Sequence, residues 1–320
     1  SLEQLEGMLL AFIDEEGNDS YIHALRIYHI YSLSVLVLAG YTNGGLNVLI
    51  TNPRDTDGFV KEIKKWRFTF FNGVNTLYEA LLNHPDIKNV NFDSMKLSGT
   101  GGSACRQSTA ERWQELTGNV LLEGYGLSET SPSVSVSPAY LTKFNGFVGL
   151  PVPSTEISIR DDEGKQVRRG EPGEICVKGP QVMQGYWGNE EATKEAIDED
   201  GFFKTGDIGT LNSDGFIKIV DRKKDMILVS GFNVYPNEIE DVVSLHPDII
   251  EAACIGVDDE KTTEAVKLFV VKSNPNLSID EVLDYCRDNF TGYKVPKHIE
   301  FIDELPKSNV GKVLRRSLRD

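Results

Sequence analysis

The chain of 320 residues is 40% hydrophobic and 26% charged, with a formal net charge of −16. That composition is ordinary for a globular protein with a sizeable core, in one to three domains. The acidic balance argues against nucleic acid as a partner, because phosphate backbones need clustered Lys and Arg. It also argues against simple electrostatic attraction to anionic lipid.

Residues 1–20 hold Glu3, Glu6, Asp14, Glu15, Glu16 and Asp19 and no basic stretch, so no secretion signal is read there. The apolar run Ile27 to Gly40, interrupted by His29, falls short of the about 20 residues a membrane span needs and reads as a buried strand or helix. Strands are then predicted at Leu46 to Ile50, Arg67 to Phe71, Met95 to Ser98 and Val120 to Glu123. Helices at Thr56 to Trp66, Val74 to Asn83 and Thr109 to Leu116 alternate with them, which implies a parallel sheet flanked by helices. From about Gly149 the texture changes to short strands, such as Glu156 to Arg160, Glu174 to Lys178 and Phe216 to Val220. They are separated by Gly, Pro, Asn and Asp, and read as a mainly antiparallel barrel or sandwich.

A third region begins near Lys224. It has helices at Pro236 to Leu245 and Ile279 to Asn289, the latter opened by Ser278, and strands at Ala252 to Val257, Lys267 to Val271 and Ile299 to Ile302. A basic helix is expected at Lys312 to Arg319. Cys105, Cys176, Cys254 and Cys286 are scattered without a CxxC pair, and read as reduced thiols of a cytoplasmic protein.

Five segments can carry chemistry. Ser98 to Ser103 is a small-residue turn between a strand and a helix, where backbone N–H groups can meet an anion. No Walker-type GxxxxGK[ST] loop occurs. Glu123 to Thr130 delivers an aromatic, two glycines, a hydroxyl and a carboxylate at a strand end, where open α/β sheets bind ligands. Phe203 to Asp207 ends in an aspartate suited to ribose hydroxyls. Asp221 to Ile227 is a basic segment whose first part, Asp221 to Asp225, is short, charged and placed where the patterns change, the best candidate hinge. Leu305 to Lys312 places a lysine beside a glycine, able to stabilise an anionic transition state. Taken singly, each segment reads as readily as an ordinary turn or a solvated surface charge.

In this order along the chain, the five segments resemble the motifs of the adenylate-forming superfamily of acyl-CoA synthetases, luciferases and peptide-synthetase adenylation domains. Leu121 to Glu129, Gly149 to Glu156, Lys178 to Met183, Asp221 to Ile239 and Thr291 to Arg316 resemble most closely the bacterial long-chain fatty-acid–CoA ligases. The resemblance implies an α/β and α+β multidomain fold: a partial parallel sheet with helices in 1–147, a small antiparallel barrel in 148–221, and a mobile α+β domain in 222–320. It implies two half-reactions, in which a fatty acid and ATP give an acyl-adenylate and CoA then displaces AMP. ATP, Mg²⁺ and CoA are the implied small molecules.

By the same resemblance, Gly101, Gly102 and Ser103 line the adenylate pocket. Glu123, Gly124, Tyr125 and Gly126 border the adenine, with Tyr125 stacked on it. Ser128 stands where the family usually has Thr and contacts the α-phosphate, and Glu129 ligates Mg²⁺. Asp207 and Arg222 hold the ribose, Lys224 is the hinge, and Lys312 bridges carboxylate and α-phosphate during adenylation. His29 is substrate-proximal, or else a core histidine. Ser230 to Asn233 lies toward the CoA pantetheine.

The family's Lys-bearing phosphate loop has no counterpart in residues 1–28, so the chain reads as the C-terminal part of such an enzyme, weak or inactive alone. A catalytically silent nucleotide-binding fragment or scaffold is the competing reading, as is a ligase for another carboxylic acid. A homodimer and a peripheral membrane contact stay open.

Overall fold

The computed structural model describes residues 3, 4, 7, 17–308 and 313–319. The chain divides into two compact units: Ser1–Thr205 with Thr210–Lys218, and Gly206–Gly209 with Ile219–Asp320.

The first unit holds a seven-stranded sheet built from β1 (Ser20–His23), β2 (Leu46–Leu49), β3 (Phe70–Gly73), β4 (Leu97–Gly101), β5 (Leu121–Gly126), β6 (Ser133–Val136) and β7 (Leu150–Pro151). Their order is β2-β1-β3-β4-β5-β6-β7. The first five strands run parallel, and β6 and β7 add on antiparallel. The run from Ile27 becomes helical only at Tyr31–Leu38, continuing as Ala39–Thr42, and its start is exposed at Ile27 and Tyr28.

Helices Thr56–Ile63, Asn75–Leu82 and Gln107–Thr117 connect the parallel strands. Their buried faces meet the sheet through Phe59, Ile63, Tyr78, Leu81 and Trp113, clustered with Ile22, Phe71 and Leu121 of the strands and with Phe92 of the loop before β4. Tyr78 and Trp113 meet edge-on with ring centroids 4.7 Å apart. Burying aromatic side chains of this kind requires a partner for each polar tip. Trp113 Nε1 donates to Ser98 Oγ at 2.9 Å and the Tyr78 hydroxyl donates to the Gly99 carbonyl at 2.7 Å. Both partners lie on β4, so two helices are keyed to the strand whose end carries the Gly101–Ser103 turn.

The antiparallel region is β8 (Glu156–Arg160), β9 (Gly173–Lys178), β10 (Phe203–Leu211) and β11 (Ile217–Arg222), in the order β11-β10-β9-β8. Among the described residues this sheet stays open, where the sequence suggested a barrel. The reason is competition for an edge: the N–H and carbonyl of Ile217 bond Gly149 and Val148, just before β7, so β11 does not close onto β8 there.

The second unit is a five-stranded sheet of β12 (Ile227–Val229), β13 (Phe232–Val234), β14 (Ile249–Asp259), β15 (Thr263–Lys272) and β16 (His298–Phe301). β14 alternates faces, as the two-residue period of a strand requires. Ala252 and Cys254 pack with Ile239 and Val243 of helix Pro236–Val243 and with Val282 and Cys286 of helix Ile279–Asn289. Ala253 and Ile255 face the other way, toward Leu305, Val313 and Leu318. Ser278 caps its helix reciprocally with Glu281, each side chain accepting the other's N–H.

The basic helix expected at the C-terminus is a single 3-10 turn, Arg315–Leu318. Val313 bridges Lys307 and the Leu314 N–H donates to the Pro306 carbonyl, so these two residues are engaged with another segment and the turn starts only at Arg315. Lys312 lies outside the described residues.

Candidate active site

In the first unit the expected residues converge at the carboxyl ends of β4 and β5. Gly101 is paired with Gly124 across the parallel ladder. A Cβ on Gly101 would stand 2.9 Å from the Gly124 carbonyl oxygen and 3.5 Å from the Tyr31 ring, so two strands and an aromatic approach as closely as glycine allows. Gly102 follows with φ +76° and open space around it, a left-handed turn that glycine adopts without strain. Gly102 and Ser103 are exposed.

Glu123 supports this turn from below. It is 5% exposed, and its Oε1 accepts the Cys105 N–H at 3.1 Å. Its backbone is held by Ser137, which accepts at Oγ and donates from N–H. Burial pushes the Glu123 carboxyl up to about 7, against the opposing pull of the Cys105 hydrogen bond. The side chain that sequence reasoning set beside a base therefore ties the Gly101–Ser103 turn to β5.

Beyond Glu123 the β5/β6 ladder shifts register between Tyr125 and Gly126. Such a bulge redirects the side chains around it. Tyr125 is half-buried and Gly126 lies against the next turn: a Cβ there would be 1.8 Å from the Pro132 carbonyl oxygen. Ser128–Thr130 forms a 3-10 turn, with Ser128 exposed and Thr130 buried. Thr130 Oγ1 accepts the Leu127 N–H and donates to the Pro132 carbonyl at 2.7 Å, locking the turn. Glu129 is half-buried. Its carbonyl accepts the Met183 N–H, and its Oε1 accepts the Tyr186 hydroxyl at 3.0 Å. The Gly185-Tyr186-Trp187-Gly188 turn was not singled out in the sequence; its exposed aromatics between two glycines were the available signal. His29 is exposed, with Nδ1 accepting the Tyr31 N–H at 3.3 Å.

In the second unit Asp207 is buried, and its Oδ1 lies 3.6 Å from Arg222 Nε. Lys224 is exposed on the single turn Lys223–Asp225. Arg315, which the sequence reading passed over, is half-buried among Asp221, Asp225 and Glu240. No local pattern signals it, because Glu240 stands 75 residues away. Among the described residues no group of three or more His, Cys, Asp or Glu could hold a metal.

A turn of small residues, Gly101 to Ser103, and a hydroxyl–carboxylate turn, Ser128 to Thr130, thus stand at the ends of adjacent strands, the end of an open α/β sheet where ligands generally bind. The profile described as AMP-binding enzyme matches residues 3–187, more than half of the chain, and that of the AMP-binding enzyme C-terminal domain matches residues 238–312. The chain belongs to the AMP-binding enzyme family.

Within this family of adenylate-forming enzymes, the chain is 53% identical over all 320 residues to a long-chain-fatty-acid–CoA ligase of Yersinia pestis, of which it covers 57%. It is 55% identical over 304 residues, 95% of its length, to the ligase of that name from Escherichia coli O6:H1, covering 54% of it. The chain thus spans a little over half the length of these curated relatives. Among solved structures, ATP-bound MatB from Rhodopseudomonas palustris superposes with a TM-score of 0.92 at 33% identity, covering 99% of this chain and 63% of that one. The o-succinylbenzoate CoA synthetase of Bacillus subtilis with its acyl-adenylate intermediate gives 0.85 at 30% identity, covering 99% and 64%.

Proposed function

We propose that this AMP-binding chain serves a long-chain fatty-acid–CoA ligase. A fatty-acid carboxylate oxygen attacks the α-phosphorus of ATP and expels pyrophosphate. The CoA thiol sulfur then attacks the adenylate carbonyl, AMP departs, and the thiol proton leaves to solvent. The observation that carries this reading is identity of 53% to a ligase of that name along the whole chain.

In this reading Tyr125 stacks on adenine, Gly101, Gly102 and Ser103 admit the adenylate, and Ser128 bonds the α-phosphate. Asp207 and Arg222 take the ribose hydroxyls, Lys224 is the pivot, and His29 stands toward the acyl group. Lys312 stabilises charge building on phosphorus during the first step, a gain realised mainly in the transition state. Glu129 is the Mg²⁺ ligand. The donor set fits that ion: Tyr186 occupies one carboxylate oxygen, leaving Oε2, and Mg²⁺ typically binds through one or two carboxylates plus waters and substrate phosphates. When bound, the ion would offset phosphate charge. We place the protein in the cytoplasm; among the described residues no helix is long and apolar enough to cross a membrane.

The test is calorimetric titration of the chain with a non-hydrolysable palmitoyl-adenylate mimic. Saturable binding that is lost in Asp207→Ala supports the reading. A folded chain that takes up no mimic overturns it for this chain.

A further inference from the structure

Glu129 is gripped at two points by one neighbouring segment of the first unit. Its carbonyl accepts the Met183 N–H at 2.8 Å, and its Oε1 accepts the Tyr186 hydroxyl at 3.0 Å. That segment is itself fastened on both sides. Before it, Gln181 is 3% exposed, and its Nε2 donates to the Ser133 carbonyl of β6 at 3.1 Å and to Thr155 Oγ1 at 2.7 Å. After it, the Tyr186 N–H donates to Thr193 Oγ1 of helix Glu190–Ala196 at 2.9 Å, and the Tyr186 carbonyl accepts the Asn189 N–H at 3.1 Å. Gly185 lets the chain pass this close, since a Cβ there would stand 2.7 Å from Thr193 Cγ2. The Tyr186 backbone is therefore fixed, while its side chain reaches across 57 residues of sequence to a single carboxylate oxygen. Partial burial and the Glu129 carboxylate both push the hydroxyl upward, so it stays protonated and donates there.

We propose that Tyr186 is a positioning residue for Glu129: its hydroxyl holds Oε1, so that Oε2 is the oxygen offered to a divalent cation at the Ser128–Thr130 turn. The metal role of Glu129 rests on the ligase reading above; the two-point grip does not. A carboxylate on a flexible stem gives up rotamer freedom when it binds a cation. A hydroxyl donated to one oxygen removes that freedom beforehand and leaves the negative charge in place, whereas an ammonium in the same position would cancel it. Partners that orient a ligating carboxylate in this way typically contribute about 10- to 100-fold in metal affinity.

The test is a double-mutant cycle on the full chain, with Tyr186→Phe, Glu129→Gln and the two combined. Tyr186 is 39% exposed and the Phe variant loses only the hydroxyl, so the fold is kept. Two affinities are measured for each protein: that for Mn²⁺ with α,β-methylene-ATP, by water-proton relaxation, and that for the palmitoyl-adenylate mimic without metal, by calorimetry. Tyr186→Phe is expected to weaken the Mn²⁺ complex about tenfold. It should leave the affinity for the mimic unchanged and have no further effect once Glu129 is Gln. Equal loss of both ligands would mean that Tyr186 only supports the shape of the turn, and overturns the proposal. So does a Mn²⁺ affinity equal to the parent's, or a tenfold loss that persists in the Glu129→Gln background. A parent that binds the mimic but not the Mn²⁺ complex defeats the proposal and leaves the adenylate pocket standing. A parent that binds neither sinks the ligase reading as well.

Discussion

The two units build their candidate chemistry from different materials. In the first, the backbone does the shaping: Gly101 against Gly124, Gly102 in a left-handed turn, Gly126 against Pro132, and hydroxyls of Thr130 and Ser137 on main-chain groups. In the second, side-chain charges hold it: Arg315 among Asp221, Asp225 and Glu240, and Arg222 beside Asp207. A backbone cradle fails sterically and locally when a side chain is added. A charge cluster fails electrostatically, because removing one partner strands the others away from water.

The contrast can be broken unit by unit, since Trp66, Trp113 and Trp187 all lie in the first. The largest loss is expected for Arg315→Met, which strands buried carboxylates at a cost of about 3–5 kcal/mol. Urea unfolding followed by second-unit amide exchange should show it, with the tryptophan transition unmoved. Gly126→Ala should do the reverse. With a Cβ 1.8 Å from a carbonyl oxygen the turn must shift, costing about 3 kcal/mol in the tryptophan-detected transition.

Next comes Glu123→Gln, read against pH. The fold raises this carboxyl to about 7, so between about 4.5 and 7 the folded chain keeps a proton that the unfolded chain has lost. Its contribution to stability is therefore present below that window and falls as pH rises through it, by up to about 3 kcal/mol. The Gln variant should lack this falling limb in urea titrations at pH 4.5, 6 and 8. A parallel pH response in parent and variant would mean that the buried carboxyl is not the group responsible. The smallest effect belongs to Gly102→Ala, where only the left-handed φ resists. About 1 kcal/mol is expected, visible as a small shift in the same tryptophan transition.

How much of this was legible in the sequence divides along the same line. Strand–helix alternation placed the parallel sheet, and helix Ile279–Asn289 was readable to the residue because Ser278 and Glu281 mark its start. Gly101 to Glu129 could be found because turns made from backbone are written in contiguous glycines and hydroxyls. β1 and β6 went unread: Ser20–His23 and Ser133–Val136 are too short for a period to emerge, and only their neighbours make them strands. The barrel failed to close because Ile217 bonds Val148 and Gly149, a pairing that no local pattern encodes. Arg315 stayed hidden for the same reason, its partners being distant in the chain and drawn together only by the folded sheet.

The four cysteines give each unit its own chemical clock. Cys105 and Cys176 belong to the first unit, Cys254 and Cys286 to the second. Burial raises every one of these thiols, Cys176 and Cys286 to about 11, so the reactive thiolate is scarce while the fold is closed. Cys105, partly exposed beside the Gly101–Ser103 turn, should react first with a disulfide reagent. Cys254, behind the Glu240–Arg315 ion pair, should wait for its unit to open, so the order of modification is a record of which part of the molecule yields first.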